Sequence, residues 1–542
     1  MKIRTIGFLI LCLLFTAWFV RNTKIDLPLI FEKTIHGHDE LSNSAVAANT
    51  TRKFFPPMVR INPLEEKPGN WMEGPFWQHI PPLFAYVPYI FFQLDGQVTI
   101  EVKRLSFAVL VLLTGLLFIA VVYLFSKNLA TAFLATIAAI FWVNTPFTHE
   151  LVTGYAFGVS DIVLAFTSVG AFGGLLWYWN FEKFTRLQYP IRKVCAIAAL
   201  VSLPIMAKNL LGAIPAAIFF VTLLWDYKKF GKMFWLSSLS FLGLLAIYYI
   251  PQYFSSPETF SRELGIAFFH AKNYEGWGRP FYYYLTDYLP NRYLFKFTWI
   301  YYLGLILTAL TWKFAKMDRK LKILLVLSLG WFLWNLIAVS LIESKIPNFI
   351  YQSYLFSLFA VLLIFAPLTN KLLEKLISLN LVKKIMPVAL LISVLGTGLA
   401  ASKLFDAFKF SRAWAYNYSS KLEQFYQVGE SMRLAGVDQR DLTIVKVSDN
   451  DCWARYYIIF LTGAESKTLL EMYFLNPTNE DITAKYRKIY LVDSFGYEQI
   501  KFDQLAQYIS SQQPQLLSEI ERIKKDKSSC QWLVPDEILN SE

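Results

Sequence analysis

Few residues in this chain have the type and placement for chemistry. They are His38-Asp39-Glu40 near the N-terminus, then Asp161, Lys208, Arg279 and Lys345, with further histidines at His36, His79, His149 and His270. Adjacent carboxylates point to different faces of any regular element, so Asp39 and Glu40 do not form a dyad. One can face a substrate while the other pairs or is solvated. A carboxylate held among apolar groups at a bilayer surface can serve as base for an acceptor hydroxyl. Asp161, Lys208, Arg279 and Lys345 each stand where an apolar run ends. Ionisable groups there are expensive unless paired or solvated in a cavity, so their collection on one face points to a site. For His36 and His149 the plainer reading is that outer loops are simply the polar segments. Lys208 interrupts SLPIMAKNLLGAIPAAIFFV, where no loop is otherwise needed. Snorkelling of its long stem is the alternative account.

The elements that must position these residues are membrane helices. Of 542 residues, 55% are hydrophobic, 17% aromatic and 17% charged, whereas soluble chains carry about 45–50% apolar and about 25% charged residues. This excludes disordered, collagenous and disulfide-rich secreted classes. Apolar runs near 6–20, 105–125, 128–145, 158–178, 194–207, 210–225, 233–250, 298–312, 323–341, 349–367 and 385–402 predict about eleven transmembrane helices. The first follows Lys2 and Arg4 like a signal peptide, but no small-residue cleavage site follows Val20, so it reads as an uncleaved anchor.

Lys and Arg set the orientation. Nineteen of them fall at the N-terminus and in alternate loops, against Lys208 and Lys345 alone in the short loops opposite. The N-terminus is therefore expected in the cytoplasm. Much of the net charge of +12 then reflects topology, and no nucleic acid is implied. An odd span count puts three polar segments on the exoplasmic face: 21–104, 251–297 and the tail 403–542. All five histidines join them there. The apolar, Pro-broken stretch 81–96 reads as a juxtamembrane helix lying in the interface.

The tail switches to strands (442–447, 488–493) and amphipathic helices (420–434, 513–524), a small α/β domain. Cys452 and Cys530 lie in it and either pair or remain thiols. Asp449-Asn450-Asp451 copies a metal-binding D-x-D pattern, although Asp/Asn clusters are ordinary turns. Asn49-Thr50-Thr51 and Asn417-Tyr418-Ser419 match glycosylation sequons. No internal repeat is evident.

Read in order, the acidic pair Asp39-Glu40, WQHIPPLFAYVPYIFFQLDG (77–96), Lys103-Arg104, GYAFGVSDIVLAF (154–166), MAKNLLG (206–212), H-x8-R-P-F-Y-Y-Y (270–284) and SKIPNFI (344–350) resemble one family. It is the C-type glycosyltransferase fold, in the branch of protein O-mannosyltransferases and lipid A aminoarabinose transferases. The resemblance spans about residues 1–367 and does not reach the tail. It implies an all-α polytopic bundle over 1–402, with interfacial helices in the first exoplasmic loop and a small exoplasmic α/β domain at 403–542.

The implied activity moves a sugar from a polyprenyl-phosphate donor to an exoplasmic acceptor, which is a glycolipid such as lipid A, a protein or a wall polymer. No nucleotide cofactor is expected, since nucleotide sugars are cytoplasmic and the outer face shows no Gly-rich phosphate loop. The resemblance makes Asp39 the base or substrate-orienting acid. It makes Asp161, Lys208, Arg279 and Lys345, with Glu40, substrate-binding residues that face the donor phosphate. Relatives commonly carry tyrosine where this chain has Phe349, so that hydroxyl is absent or moved to Tyr351. The acid expected beside the Pro-Pro pair is replaced by Gln78-His79. A divalent metal (Zn, Mn or Mg), if used, would fall to His79 and His270. Rival readings are a lipid-linked-sugar transporter or flippase and a non-catalytic membrane scaffold. Ionisable residues crowding one face without internal symmetry argue against transport. The expected setting is the inner membrane and cell envelope of a bacterium, with membrane lipids around the bundle.

Overall fold

A computed structural model of the chain describes residues 2–31, 38–62, 64, 81–153, 159–179, 191–225, 227–255, 257, 260–261, 265, 278–294, 298–314, 317–378, 421–446 and 454–526. From the N-terminus the helices are α1 (Lys2–Ile30), α2 (His38–Arg52), α3 (Tyr86–Asp95), α4 (Ile100–Ser126), α5 (Leu129–Val143), α6 (Pro146–Thr153) and α7 (Val159–Trp179). Next come α8 (Ile191–Lys208), α9 (Ile214–Trp225), α10 (Tyr227–Ser255), α11 (Thr298–Phe314), α12 (Arg319–Leu341), α13 (Tyr351–Leu363) and α14 (Ala366–Ser378). The tail supplies α15 (Lys421–Leu434), β1 (Asp441–Val445), α16 (Ala454–Thr462), β2 (Glu465–Thr468), α17 (Leu469–Leu475), α18 (Asn479–Thr483), β3 (Lys488–Val492), β4 (Tyr497–Ile500) and α19 (Phe502–Asp526).

The chain is a polytopic helical membrane protein, and ten of the eleven expected apolar stretches are helices. The eleventh, 385–402, lies outside the described residues. Among the described residues five helices are long and apolar enough to cross a membrane: Arg4–Lys24, Ile100–Ser126, Ser160–Trp179, Phe234–Phe254 and Arg319–Leu341. The pair Asn348–Leu363 and Ala366–Leu373 makes a sixth when taken as one span bent by 63°. Pro367 enters the second half where a missing N–H is tolerated. Four apolar helices among the described residues are shorter: Leu129–Val143, Cys195–Lys208, Leu211–Leu224 and Thr298–Leu310. The stretch 81–96 forms a 3-10 turn, Pro82–Ala85, running into α3.

The chain divides into two compact units. The first comprises residues 1–31, 104–248 and 268–414. Its core is aromatic: Phe118, Phe172, Trp331 and Phe356 interlock with ring centroids 4.7–6.2 Å apart. Side-chain caps mark helix starts, as where Asn128 accepts the Ala130 and Thr131 N–H groups and Asp318 accepts that of Leu321.

The second unit comprises residues 32–103, 249–267 and 415–542. Its sheet has the order β2-β1-β3-β4, with β1 parallel to β2 and β3 and β4 antiparallel at the edge. Both tail strands and both amphipathic helices expected from the sequence are present, α19 beginning earlier, at Phe502. Leu442, Ile444, Leu491, Leu516 and Ile520 fill the sheet–helix core. Cys452, Cys530, the Asp449–Asp451 cluster and Asn417 lie outside the described residues. Asn49 does not suit glycan attachment here, because it is buried and its amide donates to Val59 O at 2.6 Å.

Candidate functional site

Asp161 sits in the first turn of α7, where exposed N–H groups favour a carboxylate. Lys208 ends α8, the favourable end for a cation. The break after Lys208 has a local cause. Asn209 adopts φ 37°, a 3-10 turn follows, and Gly212 passes so close to the preceding helix that a Cβ would lie 1.9 Å from Pro204 O. Only glycine permits that approach. The kink aims Lys208 back at α7, where Nζ lies 2.5 Å from Asp161 Oδ1. Asn348 Nδ2 donates to the other carboxylate oxygen at 2.9 Å. The ammonium also lies 5.4 Å from the centre of the Phe349 ring. Lys208 is thus an ion-paired lysine at a helix break, and not one that merely snorkels.

Asn348 and Phe349 belong to a strap, residues 343–350, whose carbonyls are gripped in turn. Arg279 N–H donates to Glu343 O at 3.2 Å, and Gly278 pairs with Ser344 across a single antiparallel bridge. A π-helical stretch, Tyr284–Leu294, presents Tyr288, whose hydroxyl donates to Lys345 O at 2.5 Å. Tyr284 donates to Ile346 O at 3.0 Å. Asn335 on α12 donates to Phe349 O at 3.0 Å. Lys345 is only 2% exposed, and among the described residues no hydrogen bond or ion pair engages its ammonium. Burial pushes that ammonium below the ordinary lysine range, with Glu343 opposing the shift. A partly desolvated cation on a strap held at this many points is suited to meeting an anion.

The floor beneath the strap is polar, although it lies in apolar helices. Gln352 accepts from Ser168 Oγ at 2.7 Å and donates to Leu211 O at 3.3 Å, while Asn335 donates to Ser353 Oγ at 2.8 Å. Single polar residues inside apolar runs carry no periodic signal, and sequence reasoning missed both amides. Tyr351 is a correction. Its hydroxyl is 3.1 Å from Thr148 Oγ1 and its ring stacks on Trp142 at 5.0 Å, so it is a core residue and does not replace the hydroxyl lost at Phe349.

Other sequence candidates fall elsewhere. Arg279 is exposed, with Nη1 on Gly278 O at 2.8 Å and its guanidinium 5.9 Å from the Tyr283 ring. Asp39 and Glu40 stand in the first turn of α2, in the second unit. Glu40 is buried, and its carbonyl accepts from Lys103 Nζ at 2.9 Å. His79 and His270 lie outside the described residues. No three His, Cys, Asp or Glu side chains converge as a metal-binding group among the described residues. His149 is more than a loop histidine, because its Nδ1 lies 2.6 Å from Asp26 Oδ2. Asp26 escaped sequence reading because α1 continues to Ile30, past the end of the expected span.

No family model and no curated protein matches the chain. Among solved structures it is similar to ArnT from Cupriavidus metallidurans bound to undecaprenyl phosphate, with 14% identity and a TM-score of 0.49 over 83% of this chain and 85% of that one. It is similar to the Archaeoglobus fulgidus oligosaccharyltransferase in the apo form, with 14% identity and a TM-score of 0.49 over 88% of this chain and 69% of that one. The third likeness is to AglB from the same archaeon in complex with an inhibitory peptide and a dolichol-phosphate, with 13% identity and a TM-score of 0.46 over 89% and 69% of the two chains.

Proposed function

We propose that this chain is an integral membrane glycosyltransferase that moves a sugar from a polyprenyl-phosphate donor to an acceptor on the exoplasmic face. The observation that carries the reading is Lys345, a buried lysine whose ammonium has no hydrogen bond or ion pair among the described residues, on the strap that also supplies Asn348 to the Asp161–Lys208 pair. A fixed cation beside a second, carboxylate-balanced cation suits an anion that gains charge as a bond breaks. The sequence resemblance supplies the anion's class, a phosphate monoester on a lipid.

In this reading the anomeric carbon–oxygen bond breaks and its electron pair leaves with the phosphate, which Lys345 and Lys208 stabilise and Arg279 approaches from the open side. The acceptor oxygen attacks the opposite face of the anomeric carbon, inverting configuration. An alcohol acceptor gives its proton to Asp39. A phosphate acceptor is already ionised, and Asp39 then orients it. Asp161 holds Lys208 in place, and Glu40 contributes to substrate binding. If a divalent metal takes part, His79 and His270 are the residues that would hold it, supplying further positive charge for the phosphate.

Binding of undecaprenyl phosphate to the full chain in nanodiscs, against Lys345→Ala, tests the phosphate site. One charge-assisted contact is worth about 1.5–3 kcal/mol, so affinity should weaken roughly 10- to 100-fold. Equal affinity in both proteins would remove Lys345 from the donor site and leave transport or scaffolding as the better accounts.

A further inference from the structure

The C-terminal α/β domain has no part in the chemistry above, yet it grips the first loop through a built contact. Arg52, the last residue of α2, sends Nη2 to Phe460 O at 3.1 Å and Leu461 O at 2.9 Å, and Nη1 to Ile459 O at 3.4 Å. Phe460 O and Leu461 O are terminal carbonyls of α16 without a helical partner, Ile459 O also accepts from the Gly463 N–H at 2.9 Å, and all three lie at the negative end of the helix dipole. Asn49, one turn earlier on α2, accepts from Arg52 Nη1 at 2.8 Å and fixes the fork. Gly463 ends α16 at φ +76°, and a Cβ there would lie 2.6 Å from Arg52 Cδ and 2.7 Å from Nε. The missing side chain is therefore the space that the arginine fills.

The loop after α2 continues the grip. Arg60 pairs with Glu465 on β2 at 2.8 Å, both buried. Tyr486 donates to Asn62 O at 2.7 Å, and Lys485 Nζ to Leu64 O at 2.8 Å. At the other end of α2, Lys103 Nζ holds Glu40 O at 2.9 Å and Ser44 Oγ at 2.8 Å. The helix is thus fastened at both ends, and the residues between the fastenings move as one rod.

We propose that Arg52 is a positioning residue: by capping α16 it locks α2, and with it Asp39 in the first turn, to the C-terminal domain, which thereby sets where the first-loop acid stands during transfer. The inference rests on the role assigned to Asp39 in the proposed function. It gives the tail a task that the resemblance, ending near residue 367, does not supply.

The test uses the full chain in nanodiscs and three variants: Arg52→Ala, Arg52→Lys and Gly463→Ala. Gly463→Ala pushes the guanidinium out from the opposite side and leaves Arg52 itself intact. Hydrogen exchange over residues 38–52 should quicken at least about tenfold in Arg52→Ala and Gly463→Ala without a matching rise in the transmembrane helices. A displacement of about 1 Å at Asp39 should lower kcat by up to about 100-fold while the KM for donor stays within about twofold. Arg52→Lys keeps the charge but loses the planar fork, and should recover part of both effects. Unchanged exchange in α2 in the two disruptive variants would overturn the lock. Quickened exchange with wild-type kcat would overturn its role in catalysis. Should Arg52→Ala fail to fold, Gly463→Ala and Arg52→Lys decide by the same two readings. A wild-type protein without transferase activity would contradict the proposed function alone, and exchange in α2 would still decide the lock.

Discussion

Lys208 Nζ lies 2.5 Å from Asp161 Oδ1, and Asn348 holds the carboxylate's second oxygen at 2.9 Å, so an ion pair joins two helix ends to the strap. The carboxylate is 1% exposed and the lysine side chain 14%. Removing one partner of such a pair strands the other charge and costs about 3 kcal/mol, whereas removing both costs less. Asp161→Asn and Lys208→Met should therefore each destabilise by about 3 kcal/mol, and the double variant should cost no more than either single one, well below the sum of the two. Thermal unfolding in detergent measures this. A double variant at the sum of the singles would show that the two side chains do not interact.

Lys345 should give donor binding a pH signature. Its folded pKa lies below the ordinary lysine value of about 10.4. Between the two values the unfolded chain holds more protons than the folded chain, so stability rises with pH across that window. A bound phosphate restores the proton. Binding should therefore take up protons there, and affinity should weaken as pH rises. Calorimetry in buffers of different ionisation heat reads the uptake. Lys345→Arg should abolish it, since guanidinium stays charged. Equal uptake in wild type and Lys345→Arg would assign the proton to another group.

Gly212 shapes the break that presents Lys208. An added Cβ would meet the Pro204 carbonyl at 1.9 Å, a backbone atom that cannot swing aside. Gly212→Ala should cost about 1–3 kcal/mol through overpacking and should weaken undecaprenyl phosphate binding by moving Lys208. Unaltered stability and binding would mean that the close approach is not required.

The C-terminal unit carries a buried charge cluster, Arg455–Glu471–Lys467, with Lys467 Nζ 3.5 Å from Glu471 Oε1. Burial alone raises the Glu471 carboxyl, but Arg455, Lys467 and the Thr468 N–H overcome it and hold it below the ordinary glutamate range. A depressed carboxylate contributes stability that is full above its unfolded pKa, about 4.3, and is lost as pH falls through the lower folded value. Hydrogen exchange over residues 454–475 should quicken as pH falls through that window, once corrected for intrinsic rates. Glu471→Gln should flatten this response while destabilising the unit at neutral pH by about 3 kcal/mol. An acid response that survives the substitution would place its origin elsewhere.

How far the sequence reveals the site depends on the range of each signal. The helices were legible because apolar runs report on themselves, and Lys208 because a lysine amid apolar residues is costly unless something answers it. Its partners were not legible. Asp161, 47 positions earlier, and Asn348, 187 positions beyond Asp161, meet only once the helices pack. Asn335 and Gln352 lie within apolar helices, where one amide does not alter the pattern. The Asp26–His149 pair spans 123 positions and the Arg52 contacts with α16 more than 400. No periodicity encodes such distances. Phe349 is visible in the sequence only as an aromatic beside Lys345, and the face that it offers Lys208 depends on how the strap is gripped.

The most direct test of the central claim is sugar transfer by the purified chain in nanodiscs. A panel of polyprenyl-phosphate sugars would be supplied, and released or transferred sugar followed by mass spectrometry beside Asp39→Asn. The account predicts transfer or slow hydrolysis of at least one donor, and its loss of about 100-fold or more in Asp39→Asn, in the range of a general base. Donor binding without turnover, or turnover that is equal in Asp39→Asn, would contradict it.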